Sequence, residues 1–169
     1  MTHPLEDVIQ RAEGFVLIGD SSEGRFPAFS YHVYTQAAKR FYCLDLGGLP
    51  ASRGKTKGGK VYGAVEDLPA DHGDLAIIWM KPRTAVRGVE SAHAAGCTRV
   101  WFSFQTGHPA AVARARELGM TVVEIGRCPV YYMDQRPTEC AVHTALVKLT
   151  GAWSRPPQTD ATAKRRELL

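Results

Sequence analysis

The segment over residues 14–22, which reads GFVLIGDSS, places the strongest constraint on the fold of this chain. Its four consecutive apolar residues stand between two glycines, a pattern that predicts a short strand buried on both faces. Gly19 then begins a small polar turn, and the aromatic-rich run over residues 29–40 predicts a helix. A strand, a Gly/Ser turn and a helix form the first half of a nucleotide-binding βαβ unit. The turn lacks the full glycine fingerprints of dinucleotide-binding and P-loop proteins.

The rest of the chain continues this alternation of strands and helices. Further strands are predicted at residues 41–46, 61–63, 74–80, 99–104 and 121–125, and further helices at residues 4–13, 83–95, 108–118 and 137–150. The pattern predicts an α/β, Rossmann-like fold, in which helices flank both faces of a mostly parallel sheet. The last helix is predicted to be amphipathic, with an apolar stripe at i, i+3, i+4 and i+7 made by Val142, Ala145, Leu146 and Leu149.

We expect one domain over residues 1–151, which includes this last helix. Residues 152–169 contain two prolines near Ser154 and few apolar residues, so they are predicted to form a disordered tail. The N-terminus lacks the pattern of a signal peptide, and no stretch approaches the roughly 18 apolar residues of a membrane span. We therefore expect a cytoplasmic protein whose four well-separated cysteines are reduced thiols.

Five segments are expected to meet at the carboxyl edge of the sheet, where open parallel sheets bind their ligands. These segments are residues 19–22, 47–60, 80–83, 103–107 and 126–129. The candidate ligand-binding residues in them, or between the first two, are Gly19, Ser21, Ser22, Arg25, Ser30, Tyr31, Lys55, Lys57, Lys60, Lys81, Pro82, Ser103, Arg127, Cys128 and Pro129. The lysines and arginines among them, with a net charge of +4, favour a ligand that carries several phosphates. No motif for metal binding or for acid/base catalysis stands out.

Each candidate also has a structural alternative. A loop lysine can simply be solvated, and Ser21 or Ser22 can cap the helix that follows. Arg127 can lower the pKa of the neighbouring Cys128 thiol, or Cys128 can be a small packed residue.

The order of several short motifs resembles the CoA-binding domain family, over roughly residues 8–134. This Rossmann-like module occurs alone in many bacterial proteins and at the N-terminus of succinyl-CoA synthetase alpha subunits. The motifs are Ile18-Gly19-Asp20-Ser21, Arg25 with Ser30-Tyr31, Lys55–Lys60, Met80-Lys81-Pro82, Trp101-Phe102-Ser103-Phe104 and Arg127-Cys128-Pro129. The chain departs from the family pattern at Asp20, where Ala is usual, and at Ser103, where Gln is common.

The resemblance implies that coenzyme A lies across the carboxyl ends of the strands. Gly19, Ser21 and Arg25 would then meet its phosphates, and basic residues of the loop over residues 47–60 would meet the 3′-phosphoadenosine end. The turn at Arg127-Cys128-Pro129 would lie toward the pantetheine side.

These observations lead to three hypotheses of different classes. The first is a carrier or sensor of CoA or an acyl-CoA, with no catalytic activity of its own and with a second copy or another protein as partner. The second is an NAD(P)-binding enzyme or redox sensor, for which Asp45 lies near a ribose-binding position. The third is nucleic-acid binding through Lys164-Arg165-Arg166, which three adjacent charges support only weakly. Neither a membrane nor a nucleic acid is the expected partner.

Overall fold

The computed structural model describes residues 2–25, 39–48, 55–56 and 59–161. The helix predicted at residues 29–40 therefore lies almost entirely outside the described residues. The helices are α1 (Pro4–Arg11), α2 (Ala85–Ala94), α3 (Pro109–Glu117) and α4 (Thr138–Leu149). The strands are β1 (Gly14–Gly19), β2 (Arg40–Asp45), β3 (Lys55–Thr56), β4 (Gly59–Tyr62), β5 (Leu75–Trp79), β6 (Arg99–Phe102) and β7 (Thr121–Ile125). Short 3₁₀ turns cover Ser21–Glu23, Val65–Asp67 and Pro129–Tyr132.

The strands form one sheet in the order β3-β4-β2-β1-β5-β6-β7. Strands β4, β2, β1, β5, β6 and β7 run parallel, and β3 pairs antiparallel with β4. The prediction of a mostly parallel sheet is thereby confirmed. The chain leaves β1 toward β2 on one side and later returns to β5 on the other, so the strand order reverses between β1 and β5. Ligands of open α/β sheets bind at this kind of switch point.

Alternate residues of β1 build two cores on opposite faces of the sheet. Phe15 and Leu17 pack with α1 and α4, whereas Val16 and Ile18 pack with α2 and α3. All four side chains are fully buried, as the uninterrupted apolar run of β1 predicts. Helices therefore cover both faces, which confirms the predicted Rossmann-like layering.

Helix α1 begins at a capping box. The Nδ1 atom of His3 accepts the Leu5 N–H at 3.1 Å, and the Glu6 carboxylate accepts the His3 N–H at 3.3 Å. Because Nδ1 is an acceptor, Nε2 carries the ring proton and donates it to the carbonyl of Arg155 at 2.9 Å. The imidazole of His3 also stacks on Tyr132, with ring centroids 4.8 Å apart. One buried histidine therefore both starts the helix and holds a segment near the C-terminus.

The apolar stripe predicted for α4 points away from the core. Val142, Leu146 and Leu149 are 59%, 50% and 83% exposed. Thr144 and Val147 are buried instead, and the Thr144 hydroxyl donates to the carbonyl of Cys140 at 2.7 Å. That local bond satisfies the hydroxyl inside the protein, so a threonine can occupy the buried side of the helix at little cost.

Residues 152–161 pack on the domain, which differs from the prediction of a disordered tail over residues 152–169. Trp153 stacks on Tyr132 at 5.7 Å, and its indole N–H donates to the carbonyl of Tyr131 at 3.2 Å. Farther along, Gln158 is buried and its N–H donates to Glu124 at 3.0 Å. These aromatic and hydrogen-bonded contacts are specific to the folded state, and composition alone does not reveal them.

This segment also passes round the outer edge of β7. It starts beside α1 at Trp153, contacts Glu124 of β7, and then accepts a hydrogen bond at the Thr159 carbonyl from Arg116 of α3 at 2.8 Å. Ala161 packs against the core on the α3 side of the sheet. Residues 153–161 thus connect the two faces across the last strand of the described sheet.

Candidate functional site

The turn after β1 ties together the carboxyl ends of three strands. Asp20 and Arg25 form an isolated antiparallel bridge across it, and Gly24 supplies a left-handed residue with a φ of 68°. Glu23 accepts the N–H of Lys81, just beyond β5, at 3.1 Å. Arg25 reaches farther and donates to the carbonyl of Phe104, beyond β6, at 2.7 Å. Three of the five segments predicted to converge therefore meet at the switch point.

The backbone donors of this turn are bound by two carboxylates of the chain itself. Asp45, at the end of β2, accepts the N–H of Ser21 at 2.7 Å and the hydroxyl of Ser21 at 2.8 Å. Asp20 accepts the N–H of Ser22 at 2.9 Å and the Ser22 hydroxyl at 2.5 Å. Both carboxylates are almost completely buried, at 1% and 2% exposure for Asp20 and Asp45. The N-cap of this turn is Asp20, and the hydroxyls of Ser21 and Ser22 serve as donors to the two carboxylates.

Asp20 remains ionised in spite of its burial. Burial opposes its charge, but hydrogen bonds from the hydroxyl and N–H of Ser22 outweigh that effect and lower the pKa of Asp20 below its ordinary value of 3.8. Arg87 of α2 acts in the same direction, with its Nη1 atom 3.2 Å from the second carboxylate oxygen. The same guanidinium donates to the carbonyl of Leu46 at 3.4 Å, so it links α2 to the end of β2.

The backbone of Gly47 packs directly against this turn. Its N–H donates to Asp45 at 3.2 Å. A Cβ atom at this position would lie 2.4 Å from Asp20 Oδ1 and 2.5 Å from the Ser22 nitrogen, so only glycine fits without a rearrangement. Neither Gly47 nor Arg87 was among the residues predicted for the site, although a Gly-Gly pair directly after a strand is a signal for a close backbone approach.

Lys81, Pro82 and Ser103 follow the neighbouring strands. Lys81 is exposed, Pro82 is half-buried, and Ser103 is fully buried. The Ser103 hydroxyl has no hydrogen-bond partner among the described residues, although its N–H donates to the carbonyl of Ile78 at 2.9 Å. A buried hydroxyl without a protein partner can bind a ligand group.

The predicted basic loop is only partly described. Lys60 lies on β4, with its ammonium 4.8 Å from the centre of the Tyr62 ring, and Lys55 belongs to the short strand β3. Ser30, Tyr31 and Lys57 lie outside the described residues.

Arg127, Cys128 and Pro129 lie on the α1 side of the sheet. The guanidinium of Arg127 binds Glu124 at 2.6 Å and the carbonyls of Arg155 and Pro156 at 2.8 and 2.6 Å. Cys128 is half-buried and packs against the core there, and Pro129 is buried. Burial raises the pKa of the Cys128 thiol to about 12, so the suggestion that Arg127 favours its thiolate is wrong.

A cleft of about 390 Å³ opens beside Arg87, between α2 and the turn at Val65–Asp67. Its lining mixes apolar and charged side chains, which are Leu46, Val65, Glu66, Arg87, Glu90, Ser91 and Ala94. The volume falls within the range of small-molecule sites. A larger groove of about 610 Å³ runs along α4, but none of its lining residues is a predicted site residue.

A family model described as the CoA binding domain matches residues 15–133, which is more than half of the chain. The chain belongs to the CoA binding domain family. The match covers the sheet, the β1 turn and the turn at Pro129–Tyr132, so the family resemblance drawn from the short motifs is confirmed.

Several solved structures share the fold of this CoA binding domain. A hypothetical protein from Pyrococcus horikoshii OT3 is 23% identical, with a TM-score of 0.62 over 76% of this chain and 86% of that chain. Prb, a protein redesigned for binding, is 24% identical, with a TM-score of 0.61 over the same shares. A Thermus thermophilus protein is 17% identical, with a TM-score of 0.56 over 76% of this chain and 92% of that chain. The search of curated proteins gave no match.

Two further observations concern the described residues of this CoA binding domain. None of its described helices combines the length and apolar character needed to cross a membrane. In the same ranges, no three His, Cys, Asp or Glu side chains are grouped so as to hold a metal ion.

Proposed function

We propose that this domain binds coenzyme A or an acyl-CoA along the carboxyl edge of the sheet and acts as a carrier or sensor without chemistry of its own. The observation that carries the proposal is the connection from the β1 turn to the ends of β5 and β6, through Glu23 and Arg25. It brings a guanidinium, the exposed Lys81 and the buried Ser103 hydroxyl to the switch point of a CoA binding domain. Cationic groups and a hydroxyl suit the phosphates and polar arm of such a ligand.

The two carboxylates at this edge support a binding role over catalysis. Asp20 and Asp45 each accept several short hydrogen bonds, which hold them in fixed positions as acceptors. A general base needs a lone pair directed at the substrate. The same bonds weigh against the NAD(P) hypothesis, because the Asp45 carboxylate expected to bind a ribose already binds Ser21 and Gly47.

Calorimetry with coenzyme A, pantetheine and NAD tests the proposal. We expect coenzyme A to bind more tightly than pantetheine, which lacks the nucleotide phosphates, and more tightly than NAD. Lys81→Gln should weaken CoA binding by about fivefold, because one phosphate contact is lost. Lys148→Gln on α4 removes the same charge elsewhere and should leave the affinity within about twofold. Equal affinities for coenzyme A and pantetheine would contradict the proposal, and tighter binding of NAD would favour the alternative.

A further inference from the structure

The β1 turn presents two adjacent backbone N–H groups, but both are already used as donors. The N–H groups of Ser21 and Ser22 donate to Asp45 and Asp20 at 2.7 and 2.9 Å. The two hydroxyls add a second bond to each carboxylate. An incoming phosphate would have to displace both carboxylates before it reached either N–H group.

Steric crowding and negative charge also oppose the binding of a phosphate at the β1 turn. The backbone of Gly47 lies so close that a single added carbon would come within 2.7 Å of the Ser21 nitrogen. Asp20, Asp45 and Glu23 place three acidic groups in or beside the turn, and Arg87 contacts only Asp20 among them. A phosphate at this point would therefore meet like charge in a poorly solvated environment, which is strongly unfavourable.

We propose that Asp20 and Asp45 are specificity-determining residues that close the β1 turn to phosphate and direct the phosphates of the ligand toward Lys81 and Arg25. The inference rests on the proposed function, since it specifies how the same ligand lies on the same edge. It predicts that the turn contributes a fixed, internally bonded wall to the site, whereas the ends of β5 and β6 provide the ligand contacts.

The first test uses inorganic pyrophosphate as the probe and follows backbone amide resonances of the full chain by NMR. The Ser21 and Ser22 signals of the wild type should not move at millimolar pyrophosphate. Asp45→Ala should free the Ser21 N–H, and Asp20→Ala should free the Ser22 N–H, so each variant should show a saturable shift at that residue. A saturable shift at Ser21 or Ser22 in the wild type would overturn the inference, and so would the absence of any shift in both folded variants.

The second test measures coenzyme A affinity in the same variants. We expect Asp20→Ala and Asp45→Ala to bind coenzyme A about tenfold more tightly than the wild type, because a negative charge is removed next to the phosphates. Asp74→Ala is the matched control, since Asp74 precedes β5 at the opposite edge and pairs with Arg99 there. An equal gain in all three variants would show a general charge effect and overturn the inference. If no form binds coenzyme A, the proposed function fails, and the pyrophosphate titration still decides whether the turn is closed.

Discussion

The guanidinium of Arg127 lies 2.6 Å from the carboxylate of Glu124, and both side chains are shielded from solvent, at 13% and 1% exposure. Replacing Arg127 by Met should leave the buried Glu124 carboxyl without its cationic partner. We expect a loss of about 3–5 kcal/mol in the free energy of unfolding, measured by urea denaturation. Arg99→Met breaks a more exposed pair with Asp74 and should cost no more than about 1 kcal/mol. Equal losses in the two variants would show that the Arg127–Glu124 pair contributes no more to stability than the more exposed Arg99–Asp74 pair.

The docked C-terminal segment should contribute to stability. Deleting residues 155–169 removes two carbonyls that bind Arg127 and the N–H that binds Glu124. We expect the melting temperature to fall by at least about 5 °C, since each lost bond to a charged group is worth about 1.5–3 kcal/mol. Gln158→Ala keeps the backbone donor and serves as the control, with a much smaller change. An unchanged melting temperature in the deletion would support the prediction of a disordered tail.

The depressed pKa of Asp20 predicts an acid-sensitive contribution to folding. A carboxyl whose pKa is lower in the folded state stabilises the protein above its unfolded pKa, and this stabilisation is lost as pH falls through the folded value. The free energy of unfolding of the wild type should therefore decline below about pH 4, where unfolded aspartates begin to protonate. Asp20→Asn should be less stable at pH 7 and should decline less steeply in this range. Parallel pH profiles for the two proteins would show that Asp20 does not make this acid-sensitive contribution.

The cysteines should react slowly in the native protein. Burial raises the pKa of both Cys97 and Cys128 to about 12, so neither holds an appreciable thiolate fraction at neutral pH. Cys128 and Cys140 are both half-buried, but burial raises the pKa of Cys140 less far, so Cys140 should react first with a soluble aromatic disulfide. Peptide mass spectrometry after a short exposure should find label at Cys140, and Cys140→Ser should remove the fastest phase. Early label at Cys128, or its mixed disulfide with coenzyme A, would support the redox role that burial argues against.

Substitutions on the two sides of α4 should differ in how much they lower the free energy of unfolding. Val147 is 6% exposed and Leu149 is 83% exposed. Val147→Ala should cost about 2 kcal/mol through lost apolar contacts and a small cavity. Leu149→Ala, which removes a larger side chain, should change the free energy of unfolding by less than about 0.5 kcal/mol. A greater loss at Leu149 would mean that the exposed stripe is covered in solution.

The fold could be predicted because its signals are local. The apolar runs of β1 and β5 and the glycines that follow α2 and α3 appear in short windows of sequence, and the structure places those elements where they were expected. The network of the β1 turn could not be predicted in the same way. Asp45 and Ser21 are separated by 24 positions, and only the parallel pairing of β1 with β2 brings their side chains into contact.

The surroundings of Arg127 show a second limit on what can be predicted from the sequence. Its position at the end of β7 follows from strand order, and that position alone suggested a ligand contact. Besides Glu124, its guanidinium binds the backbone carbonyls of Arg155 and Pro156, which carry no residue-specific sequence signal. Likewise, the apolar residues of α4 indicate amphipathicity but do not tell which side packs, because Thr144 satisfies its hydroxyl within the helix.

The path of residues 153–161 round β7 also affects whether a further strand can pair with the edge of the sheet. An uncovered outer strand presents unpaired backbone groups to any extended chain that comes near, and this is a common origin of strand-by-strand aggregation. Here Gln158 and Thr159 lie against that side, and the sheet ends at its other side in the two-residue strand β3. Among the described residues, neither border offers a long open template, so we expect copies of this protein to resist β-augmentation for as long as the C-terminal segment stays in place.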